Sequence, residues 1–226
     1  MPQFVTAYHN TIVTVAMLVA VLPMLEEHPP QILQIYRDSV KRGSGAAFKM
    51  IEEDAARICA DLHCPNVHLA IESLAGPKEV WWLTPYESES DKQRVADGYA
   101  TNPALMTALE RIARRKAGLV GTPLDVLGYY RANLSRGAWR LAGARFLVVT
   151  VTKGGPHLEG SVFEADDGIR YTFRAVASRQ QAEAIAAASG PETRLFAVRP
   201  YWGMPAREWI VADPQFWKVN PRARVR

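Results

Sequence analysis

The stretch Ile32–Val40, ILQIYRDSV, alternates as a strand does, with Leu33 and Ile35 on one face and Gln34, Tyr36 and Asp38 on the other. Gly43 and Gly45 break it. Phe48, Ile51, Ala55, Ile58 and Leu62 then recur at spacings of three and four, which predicts a helix with one apolar stripe. Val67–Leu74 reads as a second strand, Gly76-Pro77 as a turn, and Val80–Tyr86 as a third strand carrying Trp81, Trp82 and Tyr86. Ser88 and Asp91 form a variant capping box that opens the next helix, and Asn102-Pro103 restarts it with Asn as cap and Pro at the first helical position. Leu105, Leu109 and Ile112 carry its stripe until Gly118, and Leu124–Leu134 reads as the fourth strand.

The order strand, helix, strand, strand, helix, strand over 32–134 predicts a ferredoxin-like repeat. A worn copy follows at 144–200. Ala144–Lys153, ARFLVVTVTK, is strongly β-branched, and Ser161–Ala165 and Ile169–Arg174 flank the hairpin turn Asp167-Gly168. Ser178 and Gln181 cap an Ala-rich helix ended by Gly190-Pro191, and Thr193–Arg199 is the last strand. Only the first helix of the plan is missing, replaced by the loop Gly154-Gly155-Pro156. The fold class expected is therefore α+β, two tandem ferredoxin-like repeats whose bare sheet faces close on each other within one chain. Trp209, Phe216 and Trp217, in a tail spanning 201–226, are expected to cap an edge or an end.

Three pieces, IYRDSVKRGSGAAF (35–48), WWLTPYESESDKQR (81–94) and NPALMTALERIARR (102–115), resemble the corresponding parts of NIPSNAP and antibiotic-biosynthesis-monooxygenase-type dimeric α/β-barrel proteins. The resemblance implies a barrel built from two such repeats. It also implies a range of activities, since the superfamily includes cofactor-free oxygenases, haem-degrading enzymes and chlorite dismutase-like proteins. The haem-degrading members take their iron-ligating histidine from the second helix; no histidine lies between Ser88 and Gly118, so the expectation is no cofactor and no haem.

If helices cover one sheet face, the opposite face should wall the barrel interior. Gln34, Tyr36, Asp38, His68, Glu72, Trp82 and Tyr130 are the residues expected there, an aromatic wall with a few polar groups that suits a small molecule. Among them His68, oriented by Glu72, and Tyr36 are the catalytic candidates; a hydrogen-bonded pair in a polar interior is the plainer reading of His68 and Glu72. Three functions stay open on this basis. The barrel holds an apolar or aromatic molecule, or it is a cofactor-independent monooxygenase acting on a phenol, or it serves a structural role in assembly. The chain has no G-x-S-x-G elbow, Walker loop, H-E-x-x-H or dinucleotide fingerprint. Cys59, His63, Cys64 and His68 match no usual zinc spacing, so no metal is expected.

A composition 48% hydrophobic and 22% charged over 226 residues describes a globular chain rather than a disordered one. The formal charge of +4 does not mark a nucleic-acid groove, because Arg114, Arg115 and Lys116 close a helix, where cations favour the dipole. Ile12–Leu22, IVTVAMLVAVL, has the length of a signal-peptide core and falls short of the roughly 20 apolar residues of a membrane span. Residues 1–25 are therefore read as a targeting segment and 26–31 as a linker, with export to the periplasm or medium favoured over the cytoplasm. Cys59 and Cys64 fit either a disulfide or two free thiols. A homodimer is compatible with the same reading.

Overall fold

The computed structural model describes residues 27–154 and 159–217, so the targeting segment expected at 1–25 lies outside the described residues. Eight strands and six helices are found among them. The first repeat comprises β1 (Ile32–Ser39), α1 (Gly45–Asp61), β2 (Leu69–Ser73), β3 (Glu79–Tyr86), α2 (Glu89–Ala100), α3 (Pro103–Lys116) and β4 (Leu124–Tyr130). The second comprises β5 (Phe146–Lys153), β6 (Ser161–Ala165), β7 (Ile169–Val176), α4 (Arg179–Ala188) and β8 (Thr193–Val198), followed by α5 (Arg207–Ala212) and α6 (Pro214–Trp217).

Local chemistry sets most of these boundaries. Ser88 Oγ accepts from the Asp91 amide to start α2, Asn102 Oδ1 accepts from the Leu105 amide to start α3, and Ser178 Oγ accepts from Gln181 to start α4. Asn102-Pro103 therefore divides two helices instead of restarting one. The fourth strand is shorter than its sequence suggests, because a turn in which the Leu134 amide donates to the Arg131 carbonyl follows Tyr130. The β6–β7 hairpin turns on Gly168, whose φ of 78° suits glycine.

The strands close into one barrel in the order β1-β3-β2-β8-β5-β7-β6-β4, every neighbour antiparallel. Each repeat contributes a four-stranded sheet of the same order. The two sheets join through β2–β8, with Ile71 opposite Val198, and through β4–β6, with Gly128 opposite Ala165. Both exposed edges of each sheet are thereby used within the chain, and closing the barrel calls on no second copy. Gly128 permits the β4–β6 approach: a Cβ there would sit 2.8 Å from Phe163 Cβ.

An eight-stranded barrel is just wide enough for side chains to fill it. Leu33, Ile35, Trp81, Leu83, Phe163 and Phe196 do so, all at or below 1% exposure. One end is plugged by Trp139 and Leu141 of the β4–β5 connection and by Trp209 and Trp217, whose indole donates to the Ala142 carbonyl at 2.8 Å. At the other end a single oxygen of Glu79 accepts from Arg37 at 3.1 Å, Trp81 at 2.8 Å and Arg194 at 2.5 Å, and the Arg37 guanidinium lies 4.3 Å over the Trp81 ring. Burial pushes the Glu79 pKa up, but the bonds from Arg194 and Trp81 and the Arg37 charge outweigh it and hold the carboxyl below its ordinary value.

Candidate functional site

The interior of the barrel is thus not the surface expected from the sequence. Leu33 and Ile35 point inward, so Gln34, Tyr36 and Asp38 stand on the outer face, and the register that sets Tyr36 opposite Trp82 puts Trp82 beside them. The expectation that these residues wall the barrel interior is corrected. The apolar face of β1 fills the barrel, and the mixed face lies under α1, α2 and α3.

Two charged side chains from the helices meet this face. Glu52 lies on α1 one helical step beyond Phe48, and Lys116 ends α3 one step beyond Ile112, so both project from the buried stripes of their helices. Lys116 Nζ sits 2.8 Å from Asp38 Oδ2 and 3.2 Å from Glu52 Oε1. The same ammonium stands 4.7 Å from the Trp82 ring centroid, 5.7 Å from Tyr36 and 5.9 Å from Phe48, within cation–π range of all three. Phe48 in turn meets Trp202 edge-on at 6.1 Å. Asp38 is fully buried, with the Lys116 ammonium and the Tyr36 hydroxyl as its polar partners.

Electrostatics follow from this enclosure. Burial pushes Glu52 up, with Asp38 adding to the effect and Lys116 opposing it. For Lys116 burial pulls the pKa down, yet Glu52 and Asp38 outweigh it and the net direction is upward. Tyr36 is raised by burial and then by the Asp38 charge, so its phenol stays protonated at neutral pH.

From this cluster the outer face of β1 runs back toward its start. Gln34 donates to both oxygens of Asp125 at 2.9 Å and accepts from the Tyr86 hydroxyl at 2.8 Å. Asp125 is exposed, and Gln34 and Tyr36 are half-buried, so this strip opens to solvent along β4. Beyond it a cavity of about 320 Å³ is lined by Gln31, Ile32, Glu89, Tyr129 and Tyr130.

Of the residues expected from the sequence, Gln34, Tyr36, Asp38 and Trp82 share this strip, and Tyr130 borders the cavity while packing its ring 5.6 Å from Phe163. His68 and Glu72 are not brought to it. Glu72 accepts from Arg199 at 2.7 Å and lies 3.3 Å from Lys78. His68 pairs its backbone with Met204; it keeps some exposed area, yet its ring is enclosed closely enough that burial pushes its pKa down to about 4, against a hydrogen bond with the Trp202 backbone. A base oriented by Glu72 is therefore not formed. Cys59 and Cys64 are joined by a disulfide at the end of α1.

No family model matches the chain, and no curated protein does. Among solved structures, a candidate monooxygenase from Fusobacterium nucleatum superposes with a TM-score of 0.52 at 12% identity, covering 76% of this chain and 94% of that one. A candidate monooxygenase from Lactobacillus acidophilus gives 0.46 at 6% identity over 74% of this chain and 93% of that one. A chlorite dismutase variant from Candidatus Nitrospira defluvii gives 0.39 at 9% over 76% and 92%. Chlorite dismutases are haem proteins, and their presence among the matches overturns the expectation of no cofactor drawn from the missing histidine. The fold is compatible with haem and with its absence, and the strip on β1 supplies no histidine. What the Fusobacterium likeness carries is architecture: the chain has the dimeric α/β-barrel fold, with both halves of the barrel on one polypeptide.

Proposed function

We propose that this protein binds a small aromatic molecule on the outer face of β1, between the cavity at Ile32 and the buried charges at Asp38. The observation that carries the reading is Asp38 itself. A carboxylate removed from water is costly unless its oxygens are satisfied, and here one lysine is shared between two buried acids, while the Lys116 ammonium and the Tyr36 hydroxyl fill only part of the roughly four acceptor positions of Asp38. A ligand hydroxyl would supply the missing donor, and Tyr36 and Trp82 would supply the aromatic contact. Ile32 and Asp38 are six residues apart on an extended strand, roughly 20 Å, enough for several fused rings.

The monooxygenase alternative rests on the same residue. A carboxylate facing a bound phenol removes its proton, and the phenolate is the electron-rich form that reacts with oxygen. Tyr36 is then a positioning residue rather than a base, because it stays protonated.

Titration with 2-naphthol followed by amide NMR tests the binding reading. Shifts are expected at Gln34, Tyr36 and Asp125, and Trp82→Ala should weaken binding about tenfold or more, near 1.4 kcal/mol. Shifts concentrated at Leu147 and Val149 inside the barrel, or no binding, would overturn it. Oxygen uptake with the same compound, lost in Asp38→Asn, would add catalysis.

A further inference from the structure

We infer that this site selects its ligand by charge, admitting an aromatic molecule that offers an O–H or N–H donor and carries no negative charge; the inference rests on the reading of the β1 face as a binding site. Three features of the strip point the same way. The first is its formal charge. Asp38 and Glu52 share the single ammonium of Lys116, which leaves the cluster one charge negative. Asp125 adds a second, since no basic side chain among the described residues pairs with it. Glu89, at the cavity, is balanced by Lys92 at 2.6 Å.

The second is the kind of hydrogen-bonding capacity left over. Gln34 already donates to Asp125 and accepts from Tyr86, and the Lys116 ammonium is engaged by two carboxylates. What stays over is acceptor capacity: the positions on Asp38 that Lys116 and Tyr36 leave open, and those on the exposed Asp125 that Gln34 leaves open. A ligand carboxylate or phosphate would bring more acceptors to a place that offers none of its donors.

The third is the amino end of α2, where an anion could otherwise find peptide N–H groups. Ser88 accepts from the Asp91 amide there and Asp91 from the Glu87 amide, so donors at this end are already taken, and the first-turn acids Glu89 and Asp91 hold Lys92 and Arg94 as their own counter-charges. An anion entering the strip would be set against like charge in a partly desolvated setting, where repulsion is strongest.

Four probes with one ring system separate the possibilities: 2-naphthol, 2-naphthylmethylammonium, 2-naphthoate and naphthalene, titrated calorimetrically into the full chain at pH 7. The naphthol and the ammonium are expected to bind at least about tenfold tighter than the naphthoate, with naphthalene weaker than the naphthol. Asp125→Asn, a change at an exposed side chain, should raise naphthoate affinity several-fold and lower that of the ammonium. Naphthoate binding as tightly as naphthol overturns charge selection and leaves the binding reading standing. Naphthalene equal to naphthol overturns the need for a donor. Failure of all four probes overturns the binding reading, and the present inference with it.

Discussion

The two repeats share a strand order but not a roof. In the first, α1 presents Phe48 to Trp82 and Trp202, so the helix is held off the sheet by large rings, and Asp38, Glu52 and Lys116 are enclosed in the space between. In the second, the counterpart of α1 is absent and α4 lays Ala182 and Ala186 onto Val148 and Leu195. Its sheet meets the cover with hydroxyls, as where Thr150 and Thr193 lie 2.8 Å apart, and its charges pair nearer the surface, Arg174 with Glu159 at 2.9 Å. A small-residue helix seals a sheet closely, while an aromatic one leaves room for polar groups. Burying ionisable groups lowers stability unless something else is gained, and this difference is the reason the proposed binding surface is placed on the first repeat.

Breaking the comparison at its strongest point gives the largest effect. Lys116→Met leaves two buried carboxylates without their cation and should cost about 3–5 kcal/mol. Arg174→Met, which removes the more exposed pair of the second repeat, should cost less than about 1 kcal/mol. Urea denaturation of the two variants measures both, and equal losses would mean that the first repeat buries its charges no more tightly than the second.

A second test concerns the end of α1, which has no counterpart in the second repeat. The Cys59–Cys64 disulfide spans a separation of only five residues, and closing so short a loop is worth about 2 kcal/mol on the chain-entropy account. Replacing both cysteines with alanine should lower stability by that amount. It should also loosen the α1 terminus, seen as faster amide exchange at Ile58 and Leu62, while exchange in α4 stays as it was.

Much of this architecture was legible. Alternation marked β1, a β-branched run marked β5 and the Asp167-Gly168 turn marked β6 and β7, while Ser88, Asn102 and Ser178 marked helix starts because each side chain satisfies an orphan amide. What alternation cannot give is which of two faces a helix roofs. ILQIYRDSV separates Leu33 and Ile35 from Gln34, Tyr36 and Asp38 equally well either way, and only closure into a narrow barrel sends the apolar set inward. The same ambiguity attends Trp81 and Trp82, which the pairing of Arg37 with Trp81 resolves. Glu52 and Lys116 did leave a signal, a charge at the next position of an apolar stripe, but Lys116 also fits a dipole-facing helix end. Asp125 left none, since its meeting with Gln34 depends on the β1–β4 register. The expectation for His68 and Glu72 failed because residues on one short strand found separate partners, Glu72 with Arg199 and His68 with Met204.

The finest test of the contrast is a difference in sign. Glu52 in the first repeat has a raised pKa, chiefly from burial, so the folded protein holds this proton more readily than the unfolded chain does. Its ionisation therefore costs stability above the folded pKa, and the cost fades as pH falls toward the unfolded value near 4.3. Glu164 in the second repeat is lowered, first by its hydrogen bond from Arg170, so its contribution is present above about 4.3 and is lost as pH falls through the folded value. Glu52→Gln should accordingly be neutral or stabilising at pH 7, with any gain over the wild type shrinking on acidification. Glu164→Gln should be mildly destabilising at pH 7, with the deficit vanishing below pH 4. Stability measured by urea from about pH 2.5 to 8 distinguishes the slopes, and a Glu52→Gln variant that loses stability at pH 7 would show that Lys116 needs both of its acids.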